Sequence, residues 1–482
     1  MTPKRPAVSR SAHCLLLLLG LPFGCGNSAE PAIRNVVFIV VDTLRRDHLA
    51  VYGYERDTSP SIDALANGGV RFDRAYATAG WTSPSVASML TGLYPSGHGV
   101  VRPSTALSDE IPTLAEALRF SGFATAAIVS NHILGKRWGF ARGFDSFDET
   151  NLKLHKGVST GGVTASSIAT LERLSAGDAP FFLFVHYFDP HYNYQRHDEF
   201  GFAPARAGRL EGGEDITLLR DLAGGVTQRE LTFLRDLYDG EIRYTDSGIG
   251  RLLAALRSRG HFDDTLIVFA ADHGEEFLER GWLGHTRTLY DELVRVPLIL
   301  HLPQPPARRV IQEPVSLTSL PATIMQLLGL PIPQSFRSPS LVAQLSIAPD
   351  DSAPLRVLTE VDFVPASKLY AEKTARQQSL VGPRFKLIRN LLSGTVELYD
   401  MLSDPKEERD LSGSETARVR EMTLQLDALL VEIASKDFIA REIELSDEEV
   451  RELQALGYGE SPALTPIHAW PAPPARVNPS PR

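Results

Sequence analysis

The chain has almost no cysteine. Only Cys14 and Cys25 occur in 482 residues, both near the N-terminus. The remaining sequence therefore offers no disulfide, no thiolate metal ligand and no cysteine nucleophile. Long apolar runs are missing too, and the leucine run Leu15–Leu19 is too short to span a bilayer. Positive charge is in deficit: 49 Lys and Arg stand against 59 Asp and Glu, a formal net charge of -10. That balance argues against a nucleic-acid polyanion as the main partner. A small anionic substrate stays open, because a bound metal can set the local sign. What is present is ordinary for a globular protein with a sizeable core, 43% hydrophobic and 22% charged.

Lys4, Arg5 and Arg10 precede the leucine run, the layout of an export signal. Two processing routes fit. Cys25 follows Leu21-Pro22-Phe23-Gly24, a loose lipoprotein box with its leucine one position too far upstream, and lipidation there would attach the protein to a membrane. The other route is plain cleavage near Ser28-Ala29-Glu30. Both predict an exported protein, whether periplasmic, an outer-membrane lipoprotein or extracellular.

From Arg34 to about Pro303, apolar runs alternate with helical patterns. Val36–Val41, Thr125–Val129, Phe181–Val185 and Leu266–Ala271 read as buried parallel strands, with helices such as Ile111–Phe120 and Leu231–Leu256 between them. This predicts an α/β fold with a large, mostly parallel central sheet flanked by helices. Val315–Leu330 reads as one more helix, followed by Pro- and Ser-rich connections. Phe385–Arg389 and Val396–Tyr399 pattern as a hairpin, and a helix follows over Glu415–Ser435. Ser446-Asp447-Glu448-Glu449 opens a short helix within Leu445–Leu456. The expected division is a signal at 1–30, a catalytic domain at 31–345 and a smaller α+β subdomain at 346–440. A short helix and a Pro-rich disordered tail at 441–482 complete it.

In open parallel sheets, sites form at the carboxyl ends of strands. The four runs lead to Asp42-Thr43, to Ser130-Asn131-His132, to His186 with Asp189-Pro190-His191, and to Asp272-His273-Gly274. Two carboxylates and an imidazole, Asp42, Asp272 and His273, suit a divalent cation. A strand-end aspartate can also merely cap the next helix. Thr82 stands before Ser83, a candidate N-cap, and Pro84, a candidate first helical residue. That places its hydroxyl at a helix N-terminus, a natural anion site, and makes it the nucleophile candidate. Taken locally, the same residues read as an ordinary Ser/Thr-rich helix start. His132, His191 and His285 are candidates for anion binding or general acid work, with His186 ranked below them. Arg287 could neutralise substrate charge.

The segment Trp81-Thr82-Ser83-Pro84-Ser85-Val86-Ala87-Ser88-Met89-Leu90-Thr91-Gly92 resembles the sulfatase signature Cys-x-Pro-Ser-Arg-Ala-Ser-x-Leu-Thr-Gly. In order around it come the Asp42-Thr43 strand end, Pro60-Ser61-Ile62-Asp63, Gly143-Phe144-Asp145, Ala271-Asp272-His273-Gly274, Arg295-Val296-Pro297 and Glu397-Leu398-Tyr399-Asp400. The ordered set resembles the sulfatase family of the alkaline-phosphatase superfamily. The resemblance implies that Asp42, Asp272, His273 and Thr82 hold a divalent metal. Calcium is the family habit, and manganese, zinc or magnesium is admitted by His273. It also implies that Thr82 occupies the nucleophile position, that His132 and His191 contact or protonate the ester, and that His285 lies near a substrate-binding lysine. Three departures stand out: Thr43 where a second aspartate is usual, Ser130 in place of a lysine beside the substrate, and Val86 in place of arginine. Threonine cannot become the formylglycine that sulfatases use, so no formylglycine is expected. Superfamily relatives with a threonine nucleophile attack phosphorus directly.

Three functions follow. The first is a metal-dependent hydrolase of sulfate or phosphate-type esters, on a small molecule or a glycan. The second is a phosphodiesterase, a phosphonate monoester hydrolase or a phospho-alcohol transferase working through Thr82. The third is a catalytically degenerate glycan binder. The sequence leaves the oligomeric state open.

Overall fold

Asn35–Val41 is buried along its whole length. A strand with no polar face must be covered on both sides, as in a parallel sheet packed between helices. In the computed structural model this segment is strand β1 of a nine-stranded sheet. The others are Val70–Tyr76 (β2), Ala124–Ile128 (β3), Ser146–Asp148 (β4), Phe181–Tyr187 (β5), Thr265–Ala271 (β6), Arg295–His301 (β7), Val310–Ile311 (β8) and Val315–Ser316 (β9). Their order is β8-β2-β7-β6-β1-β5-β3-β4, with β9 also on β2. All pairs are parallel except those of β7, which runs against β6 and β2. The described residues are 33–152, 159–304, 306, 309–346, 356–363, 374–433, 438 and 440–455. The expected export signal with Cys25 and the Pro-rich tail lie outside them.

The helices are Pro60–Gly68 (α1), Thr82–Thr91 (α2), Leu114–Phe120 (α3), Thr160–Ser175 (α4), Ile216–Leu222 (α5), Gln228–Ser258 (α6), Leu320–Leu327 (α7), Thr416–Ile433 (α8) and Asp447–Ala455 (α9). The long α6 starts at a capping box in which Thr227 accepts from the Glu230 amide and Glu230 accepts from the Thr227 amide. At α9 the Ser446–Glu449 pair makes the same reciprocal bonds. Among the described residues, no helix is long and apolar enough to cross a membrane.

Two segments differ from expectation. Val315–Leu330 is not one helix: β9 comes first, then a tight turn at Leu317–Ser319, and only then α7. The Ser316 hydroxyl accepts from the Thr318 amide and holds the turn, and Pro321 fixes where the helix begins. Strand β7 goes unmarked in the sequence because it contains Pro297, which cannot donate to a ladder. There its register against β2 shifts between Val296 and Leu298.

The C-terminal sheet is antiparallel, Val357–Phe363 (β10), Ala375–Val381 (β11), Phe385–Asn390 (β12) and Val396–Asp400 (β13). The expected hairpin is β12–β13. Lys386 of β12 is fully buried, with Nζ 2.9 Å from Asp291 and 2.7 Å from Glu407. Asp291 lies just ahead of β7, so this ion triad fastens the second sheet to the first. Substituting Lys386→Met removes the cation nearest both buried carboxylates and leaves Asp291 with Arg295 at 3.4 Å and Glu407 with Arg280 at 3.9 Å. The expected loss is about 3–5 kcal/mol of stability, read from urea denaturation. An unchanged midpoint would contradict that role.

Candidate active site

Strand register explains how distant residues meet. Val41 of β1 lies opposite Ala271 of β6, so Asp42 and Asp272 leave adjacent strands at the same level. Val40 lies opposite His186 of β5. Side chains alternate along a strand, so His186, Asp42 and Asp272 emerge on one face. One ligand atom from each lies within 4.8 Å of the others. His186 Nε2 is 3.7 Å from Asp42 Oδ2 and 3.8 Å from Asp272 Oδ2. His273 joins them, its Nε2 3.4 Å from Asp42 Oδ1 while its Nδ1 donates to the Gly274 carbonyl at 2.9 Å.

The backbone beside this cluster is strained. Thr43 has φ +55°, rare for a β-branched residue. It is held there by its amide donating to Asp272 Oδ1 at 3.2 Å and its carbonyl accepting from Tyr238 at 2.6 Å. Strain of this kind persists where the surroundings over-determine it.

The cluster is fully buried and electrostatically tense. Burial pushes the Asp42 carboxyl above its ordinary range, and the charge of Asp272 adds to this. Burial acts the same way on Asp272, but the charges of His273 and His186 hold it below the ordinary value. Burial disfavours a charged His273, yet Asp272 and Asp42 raise its pKa to about 9. Both ring nitrogens of His186 and Asp272 Oδ2 have no hydrogen-bond partner among the described residues. Orphaned buried donor atoms around two carboxylates are what a divalent cation would satisfy, so the residues fit a metal.

Thr82 meets the cluster from α2. Its Oγ1 lies 3.5 and 3.4 Å from the two Asp42 oxygens and 3.4 Å from His273 Nε2. Thr82 is itself the first helical residue, and Trp81 is the cap. Ser83 does not cap the helix: its hydroxyl donates to the Ile133 carbonyl at 3.2 Å. Ser85 donates to the Asp272 carbonyl at 2.6 Å, which ties α2 to the end of β6.

His132 is not brought into this cluster. Its neighbour Asn131 is: the Asn131 carbonyl oxygen caps the turn at His132–Leu134, and its amide donates to Asp42 Oδ2 at 2.8 Å and to Thr82 at 3.3 Å. His132, beginning that turn, packs instead on Trp138 at 4.8 Å and lies 3.5 Å from Glu452 of α9. Ser130 donates to the His186 carbonyl at 2.6 Å, so its hydroxyl fixes the neighbouring strand. Val86 lies in the core.

His191 and His285 do line the site. The His285 ring is 4.5 Å from His273 and 4.9 Å from His191. Glu275 is 2.8 Å from His285 Nδ1. Burial, then the charges of His273 and His191, push His285 well below the ordinary histidine value. His191 Nδ1 donates to the Tyr192 carbonyl at 2.8 Å. Arg287 lies over Trp282, 4.0 Å from the ring centre.

The Sulfatase family model matches residues 34–330, which hold all of these residues except Glu452. The chain belongs to the sulfatase family. A second family, N-sulphoglucosamine sulphohydrolase C-terminal, matches residues 278–436 of this sulfatase. It is 23% identical over 509 residues to an N-acetylglucosamine-6-O-sulfatase of Bacteroides thetaiotaomicron, covering 87% of this chain and 90% of that one. Its fold is similar to a structure solved in complex with the substrate D-glucosamine-2-N,6-O-disulfate, with TM-score 0.67, 22% identity and 83% and 97% of the two chains covered. It is equally similar to the phosphonate monoester hydrolase of Agrobacterium radiobacter, with TM-score 0.66, 22% identity and 86% and 99% covered. This member of the sulfatase family is a hydrolase of sulfate or phosphate esters.

Proposed function

We propose that the protein is a divalent-metal-dependent hydrolase of singly charged esters, a glycan sulfate or a phosphonate or phosphate diester, with Thr82 as the attacking group. The observation that carries this is the Thr82 hydroxyl between Asp42 and His273, at the N-terminus of α2. Asp42, Asp272, His186 and His273 would hold the metal. When bound, it would supply a Lewis acid that lowers the pKa of the Thr82 hydroxyl and neutralises the ester.

The protein's own residues account for the rest. Asn131 orients Asp42 and Thr82 together. The Thr82 hydroxyl gives up its proton to solvent, its oxygen bonds to sulfur or phosphorus as the ester oxygen leaves opposite, and His191 protonates the departing alcohol. With Nδ1–H donating to the Tyr192 carbonyl, the proton given up is the Nε2 proton of the His191 imidazolium, and the neutral ring left behind takes a proton from the attacking water. Water then attacks the threonine ester and restores the hydroxyl. Glu275 keeps the His285 ring in place beside the reacting group. Val86 and Ser130 stand where the family's extra cations would be, which lowers the capacity for a doubly charged ester. The relatives named for glycan sulfates favour a sulfate, whereas threonine favours phosphorus, since it cannot form the aldehyde hydrate.

Turnover of the 4-nitrophenyl sulfate, phosphate, phenylphosphonate and bis(4-nitrophenyl) phosphate esters tests the charge preference. At least one singly charged ester is expected to exceed the phosphate monoester by about tenfold or more in kcat/KM. A preference for the phosphate monoester would reject the reading.

A further inference from the structure

Arg220 of α5 is buried, 8% exposed, yet it makes no ion pair among the described residues. Its Nε donates to the Leu283 carbonyl at 3.1 Å, and its Nη2 has no hydrogen-bond partner among them. The backbone makes room for it. Gly284 has φ +106°, and a Cβ there would stand 2.7 Å from Nη2. The guanidinium lies 4.7 Å from the Trp282 ring centre and 5.5 Å from that of Tyr192. Tyr192 stacks on His285 at 5.0 Å, and His285 lies against His273. Arg287 brings a second cation to the same indole. The charge of Arg220 acts on the buried Glu275 without an ion pair to it, and a buried cation with no ion pair among the described residues is costly unless a ligand supplies one. Tyr192 and His285 thus form a chain of ring contacts from Arg220 to His273.

We propose that Arg220, supported by Arg287 on Trp282, forms a second anion subsite that binds an oxyanion on the alcohol part of the ester. The substrate is then an acidic sugar ester with two anionic groups: one reacts, and the other is gripped by the planar guanidinium fork. This rests on the ester-hydrolase reading above. It is separable from that reading, because the test measures binding in a protein that need not turn over.

The test is calorimetric titration of the Thr82→Ala protein, with manganese added, using N-acetylglucosamine 6-sulfate and glucosamine 2-N,6-O-disulfate. The disulfate is expected to bind about tenfold or more tightly, the effect of one charge-assisted contact. Adding Arg220→Gln should abolish that preference and leave the monosulfate within about twofold. Arg220→Lys, which keeps the charge and loses the fork, should retain part of it. The proposal is overturned if Thr82→Ala shows no preference for the disulfate. It is also overturned if the preference survives Arg220→Gln, or if both sugars weaken together in both Arg220 variants. Should Arg220→Gln lose its cooperative unfolding transition, an undiminished preference in Arg220→Lys would equally reject the fork contact.

Discussion

Replacing Thr82 with alanine is expected to lower kcat by about ten-thousandfold or more, the scale seen when a catalytic nucleophile is removed. Among the described residues, the hydroxyl is the one side-chain nucleophile that faces Asp42, His273 and Asn131 together. A water molecule in its place would lack the helix that fixes it. Thr82→Ser restores the oxygen and loses only a methyl group, so its rate should stay within about tenfold of the parent. The alanine variant should keep its cooperative thermal transition, because Ser83 and Ser85 still anchor α2. Near-normal turnover in Thr82→Ala would assign the attack to water and end the nucleophile reading.

Metal removal is the second large effect. Dialysis against a chelator should abolish turnover, and a divalent cation should restore it. The same cation should raise the thermal midpoint of the parent protein, because it binds only the folded site. His186→Ala should raise the metal concentration for half-maximal activity at least about a hundredfold, since it deletes a donor rather than a supporting contact. Metal dependence unchanged in His186→Ala would mean that the ring merely packs between the two aspartates. Full activity after chelation would contradict the metal reading itself.

The strand-end groups were legible because their strands are uninterrupted apolar runs, and a polar residue right after such a run has nowhere to go but the sheet's rim. Asp42 and Asp272 were found that way. His186 was undervalued because it sits inside the strand, one pair below the rim, and its importance needs the register of β5 against β1. Asn131 and His132 are neighbours on one loop. Only the turn that Asn131 caps decides which of them faces Asp42, and its length is not written in the residue types. The parallel core was readable, whereas β7 was hidden by Pro297. In the C-terminal sheet only the hairpin with a Ser-Gly turn is announced by the sequence.

The strand order also governs when the site can exist during folding. The Thr43 amide and the Asp272 carboxylate that it contacts are 229 residues apart. β1 therefore finds its β6 neighbour only after more than half of the chain has been made. Pairings at such separations are slow to form, because the loop entropy is lost before the contact rewards it. Until that pairing forms, a metal ion has no assembled carboxylate pair to bind. The cation thus cannot template the sheet. A cation bound at Asp42 and Asp272 would then act as a late clamp on a closed fold, and chelators are expected to leave the refolding rate unchanged while they remove the final gain in stability.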